Sequence, residues 1–68
     1  MNGVAVFTNL TQGQKVRLMR LSRGLRQIDL ASIAKVNLGD ITALEKDRFL
    51  PKTRKLRILS ALGVDDNA

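Results

Sequence analysis

The sequence predicts an all-α domain built from four to five short helices. Apolar residues recur at helical spacing along most of the chain, and alternating strand patterns are scarce. Glycines at 24 and 63 and the single proline, Pro51, fall where such helices would have to stop or start.

Thr11 reads as an N-cap, and Gln14, three residues on, completes a capping box. The first helix then runs to about Arg23, with Gly24 as its stop. Val16 and Met19 share one face of this helix, while Leu10, Leu18 and Leu21 fall together on the other at about 100° per residue. One stripe belongs to the core. The other is covered by Val4 to Phe7 (VAVF) folded back as an arm, is covered by a partner subunit, or is a set of scattered exposed leucines needing no cover.

The second helix starts near Arg26 and ends near Lys35, with Leu30 and Ala31 in its middle. Val36 and Asn37 make a very short connection, and Asn37 is a good N-cap for a third helix over about 38–46. Ile41 and Leu44, three apart, turn one face of that helix to the core. Residues 47–51 are loop, and the fourth helix runs from Thr53 or Arg54 to Leu62, with Ile58, Leu59 and Leu62 inward and Gly63 as its stop. The organisation is thus an N-terminal arm (1–10), one helical domain (11–64) and a frayed tail (65–68).

The totals narrow the function. Twelve Lys and Arg stand against six Asp and Glu, a net charge of +6 that favours an anionic partner. With no Trp, no Tyr and two Phe, the chain lacks the stacking platforms that single-stranded nucleic acid needs. There is no cysteine and no histidine, so a disulfide framework, a thiolate zinc site and the usual general base of hydrolases are all excluded. The six acids form no paired cluster of the sort that metal-dependent duplex cleavage uses. No enzyme activity, metal, cofactor or small-molecule ligand is expected. No apolar run reaches the ~20 residues that span a bilayer, and MNGVAVF is too short and too uncharged for a signal peptide.

The second and third helices with their short connection read as a helix-turn-helix. Ala31 is the small residue that two steeply crossing helices need at closest approach, and Val36 plugs the turn. The outward face of the third helix, Leu38, Gly39, Thr42 and Ala43, is left for something outside. Only Lys35 and Lys46 bring positive charge to the second and third helices beyond Arg26 at the start, so the outward face is nearly neutral and cations lie at its margins.

The stretch GQKVRLMRLSRGLRQIDLASIAKVNLGDITALEKDR, followed by SALGV, resembles the Cro and C-type repressor helix-turn-helix family of phages and bacterial regulators, the λ-repressor-like group. The likeness runs from about Gly13 to Val64 and rests on Arg20, Gly24, Leu25, Gln27, Leu30–Ala31, Val36, Ile41, Leu44–Glu45 and Leu62–Gly63–Val64 at their spacings. It implies a compact helical bundle that lays the third helix in the DNA major groove. By position, it implies base contacts from Leu38, Gly39, Asp40, Thr42 and Ala43, and phosphate contacts from Gln27, Asn37, Lys46, Arg48, Lys52, Thr53 and Arg54. Apolar contacts to thymine methyls would dominate, with Asp40 either accepting from cytosine or capping the third helix. Gln27 would brace the start of the third helix, and Arg20 would pair with Glu45, tying the first helix to the end of the third. The implied function is a small sequence-specific regulator of transcription, a repressor, on double-stranded DNA in the cytoplasm and at the nucleoid, acting as a homodimer at least when bound. The alternative is a protein-interaction module on the same fold: an antirepressor, an adaptor or an antitoxin. Two departures stand out. Lys35 occupies a turn position where the family commonly has glycine, which implies a left-handed backbone there. The chain ends at DDNA, where many members continue into a fifth, dimerising helix.

Overall fold

The computed structural model describes residues 9–66. Among them are four helices and no strand: α1 (Gln12–Ser22), α2 (Gln27–Ala34), α3 (Leu38–Glu45) and α4 (Lys52–Ala61). The all-α class and the order of elements are those expected. The first, third and fourth helices each stop one residue earlier than the pattern indicated, and the fourth starts one or two residues earlier. The arm at Val4 to Phe7 lies outside the described residues.

The N-terminus of α1 is closed by the capping box: Gln14 N–H donates to Thr11 Oγ1 at 3.1 Å, and Thr11 N–H donates to Gln14 Oε1 at 2.9 Å. All four helices end on a left-handed residue. At Gly24 and Gly63 the absence of a Cβ makes this free of cost, with φ of 69° and 77°. At Lys35 and Asp47 a side chain occupies the same region, with φ of 60° and 56°. The left-handed Lys35 matches the expectation. It closes α2 by letting Val36 N–H reach Ala31 O at 3.0 Å, and the turn it makes aims the chain into α3. Such a backbone costs a non-glycine residue about 1–2 kcal/mol, offset in part by glycine's greater freedom when unfolded. Lys35→Gly should therefore raise the unfolding free energy by about 0.5–1 kcal/mol in urea titration followed by circular dichroism; a loss of stability would mean that the Lys35 side chain contributes a contact that outweighs the strain.

The core is one cluster: Val16 of α1, Leu30, Ala31 and Ala34 of α2, Ile41 and Leu44 of α3, and Ile58, Leu59 and Leu62 at the end of α4. Met19, Val36, Leu50, Ala61 and Val64 close its edges. On α3 and α4 the inward residues are those the spacing indicated, and Ala31 and Val36 lie in or against the core as expected; on α1, where two stripes were open, the Val16 and Met19 face turns inward. On the other side of α1, Leu18 and Leu21 are exposed. The expected frayed tail, 65–68, falls partly outside the described residues, which end at Asp66. Asp66 accepts a hydrogen bond from Gln12 Nε2 at 3.2 Å and pairs with Lys55 Nζ at 3.2 Å, and these two partners hold its carboxyl below the usual range. No helix among the described residues is long and apolar enough to cross a membrane.

Candidate nucleic-acid interface

The surface that α3 presents is set by what lies under it. Ile41 and Leu44 sit in the core, and Asp40 and Glu45 are buried beside them. That leaves Leu38 and Gly39 exposed and Thr42 and Ala43 half-exposed. Thr42 spends its hydroxyl proton on Leu38 O at 3.3 Å, so it offers outward a methyl group and lone pairs. The ridge therefore carries no charge.

Of the two roles expected of Asp40, base contact and cap of the third helix, the contacts are those of the cap: its side chain is only 10% exposed and both carboxylate oxygens are engaged. Oδ2 accepts the backbone N–H of Asn37 at 3.1 Å, the capping arrangement, and Oδ1 takes Arg54 Nη1 at 3.3 Å. The physical reason is that an acid in the first helical turn meets the unpaired N–H groups and the positive end of α3. With its side chain 10% exposed, this carboxylate presents little surface to a base.

Gln27 also acts differently from expectation. Its Nε2 donates to Glu45 Oε1 at 3.1 Å, so it braces the end of α3, not the start. Glu45 is the hub of this corner. Arg20 Nε donates to Glu45 Oε2 at 2.6 Å and Arg20 Nη2 to Oε1 at 3.0 Å, while Arg20 Nη1 is taken by Leu25 O at 2.8 Å. Both side chains are buried, at 7% and 4% exposure, so the pair expected to tie the first helix to the third is present and largely withdrawn from solvent. A fork-to-fork pair of this kind fixes orientation as well as proximity.

Over this pair lies a concavity of about 470 Å³ lined by Arg17, Arg20, Arg26, Gln27, Glu45 and Lys46. Arg17 and Arg26 are additions to the residues implied by sequence. Neither has a spacing signal, because the concavity is assembled from three helices. Arg26 is held by Asp29 through two hydrogen bonds of 3.0 Å, and the Arg26 side chain and then its backbone N–H keep the Asp29 carboxyl below the ordinary range.

The remaining expected residues distribute as follows. Asn37 is exposed at the N-cap of α3. Lys46 and Arg48 are exposed just past its end, and Lys52 and Thr53 are exposed in the first turn of α4. Arg54 is half-buried against Asp40, which brings it to the first turn of α3. Cationic side chains thus stand at both ends of α3, with Arg54, paired to Asp40, at its start and Arg17, Lys46 and the Asp29-paired Arg26 at its end. Phe49, in the loop between α3 and α4, is 89% exposed. Comparison with protein-family models, with curated proteins and with solved structures finds no match to this chain.

Proposed function

We propose that α2, residues 35–37 and α3 act as a helix-turn-helix of λ-repressor-like type, and that the protein is a sequence-specific regulator of transcription on double-stranded DNA, most simply a repressor. One observation carries this reading: an uncharged ridge on α3 flanked at both ends by exposed or half-exposed cations. An α-helix with its side chains is about 10–12 Å across, and the B-form major groove, about 12 Å wide, admits it. Cations at the two ends of such a helix meet the phosphates bordering the groove, while the ridge meets the base edges. Leu38, Thr42 and Ala43 supply apolar contacts to thymine methyls, Gly39 lets the backbone approach, and groove shape supplies the rest of the discrimination. Gln27, Asn37, Lys46, Arg48, Lys52, Thr53 and Arg54 serve the phosphates, joined by Arg17 and Arg26. Two copies bound together would read half-sites about one helical turn apart. The reading needs no metal, cofactor or catalytic residue.

The exposure of Leu38, at 45%, favours a second reading in which the face it shares with Gly39 and Ala43 takes a protein partner. One experiment separates the two. Bound duplexes are selected from a random pool at two salt concentrations, with the wild-type chain and with Ala43→Gln. The DNA reading expects enrichment of a defined, two-fold related site, affinity falling steeply with salt, and a change of preferred base at one or two positions in the variant, worth about 1–3 kcal/mol of discrimination each. No enrichment and no salt-sensitive complex would leave the protein-partner reading in its place.

A further inference from the structure

Asp40 and Asp29 are the same device used twice. Each is the acid at the third position of its helix, each accepts the N-cap backbone N–H, at 3.1 Å for Asn37 and 2.8 Å for Arg26, and each holds an arginine. The two pairs differ in how much of the arginine they consume. Asp29 takes two nitrogens of Arg26, whereas Asp40 takes only Nη1 of Arg54. Nε and Nη2 of Arg54 have no hydrogen-bond partner among the described residues, and the Arg54 side chain is 43% exposed. The result is a guanidinium drawn at one corner to a buried carboxylate by a single 3.3 Å contact, with its other nitrogens without a partner among the described residues, beside the first turn of α3.

We propose that Asp40 is a positioning residue for Arg54: it reads no base, and instead fixes the guanidinium so that its free edge meets a DNA phosphate bordering the groove that α3 enters. The inference rests on the DNA reading above and adds a role that the position of Asp40 in α3 does not suggest. Two effects of a carboxylate near phosphates oppose each other. Its charge repels them, and its grip on the arginine removes ordering that binding would otherwise have to impose. Asp40 lies behind the guanidinium, is almost fully buried, and faces the positive end of α3, so its field toward the duplex is largely compensated. Arg54, by contrast, is a long side chain whose rotors are otherwise free, and its planar fork meets phosphate well only when oriented. Ordering therefore outweighs repulsion.

The test is equilibrium binding of the full chain to its selected duplex and to a random-sequence duplex over a salt series, for wild type, Asp40→Asn, Arg54→Ala and the double variant. Asparagine keeps an oxygen for the Asn37 N–H and removes the charge that holds Arg54. Thermal unfolding of each variant establishes that it is folded, and Asp40→Ser takes the place of Asp40→Asn if the latter is not. Asp40→Asn should bind both duplexes about two- to tenfold more weakly, with the salt slope reduced by about one as in Arg54→Ala, and the double variant should bind no worse than Arg54→Ala. Tighter binding by Asp40→Asn, losses that add in the double variant, or altered preference at a single base pair would each overturn the proposal while leaving duplex binding itself intact. A wild-type chain that forms no salt-sensitive duplex complex would instead remove the DNA reading, and this role with it.

Discussion

Glu45→Ala is expected to lose about 3–5 kcal/mol of folding free energy. The substitution leaves Arg20 buried with Leu25 O as its one remaining acceptor, and it takes the partner from Gln27 Nε2. An uncompensated guanidinium in a buried site carries most of its desolvation cost with nothing to offset it. A single core of this size supplies only about 3–5 kcal/mol in total, so the variant should be mostly unfolded at room temperature. The chain has no Trp or Tyr, so the measurement is urea or thermal unfolding followed by far-ultraviolet circular dichroism. The double replacement Arg20→Met with Glu45→Leu separates a stranded charge from a packing defect. Swapping a buried ion pair for apolar groups of similar volume is often neutral or better, so the double variant should recover most of what the single one loses. A loss within about 0.5 kcal/mol for Glu45→Ala would place the pair in the energetic range of exposed ion pairs, against its burial.

The contrast between Glu45 and Asp40 shows how far the residues themselves could be read. Helix ends, the capping box at Thr11 and Gln14, and the inward faces of α3 and α4 are local or periodic properties, and they are legible because a helix imposes its period on the chain that forms it; α1, with apolar residues on two sides, left its inward face open. The Arg20–Glu45 pair came through resemblance, and its burial was a natural consequence of Glu45 following core-facing Leu44. Asp40 was ambiguous for a physical reason: an acid in the first turn of a helix gives the same signal whether it caps the helix or faces a ligand. What decides between the two is Arg54, fourteen residues away on another helix. Gln27 was matched to phosphate and to the start of the third helix, but its partner Glu45 lies eighteen residues on, at the far end of that helix. The concavity that gathers Arg17, Arg26 and Lys46 is likewise a product of packing, with no linear pattern to announce it.

The residue least visible in the sequence carries the second large effect. Gly13 lies in the first turn of α1, where a glycine in an exposed helix would be replaced by alanine with a gain of about 1 kcal/mol. Here Gly13 is buried against the end of α3 and the turn that follows it. Its N–H donates to Asp47 Oδ1 at 3.0 Å, and Thr11 Oγ1 donates to Asp47 Oδ2 at 2.6 Å. This is why an aspartate accepts the left-handed backbone at position 47: its carboxylate clamps the start of α1 to the end of α3. A Cβ on residue 13 would stand 2.8 Å from both Asp47 Oδ1 and the carbonyl oxygen of Glu45, and closer still to that of Leu44. Two of the three obstacles are backbone and cannot rotate away, so α1 must lift off α3 and open both the Asp47 clamp and the Arg20–Glu45 tie. Gly13→Ala should therefore cost about 3 kcal/mol, at the upper end of overpacking effects. Gly39 is the internal control. A methyl there meets nothing within 4 Å and its backbone is ordinary, so Gly39→Ala should stabilise by up to about 1 kcal/mol in the same unfolding assay. Opposite signs at two helical glycines follow only if α1 docks on the end of α3 through Gly13. A stabilising Gly13→Ala would mean that the two helices stand further apart, and that the cations of the concavity are not held against the end of α3.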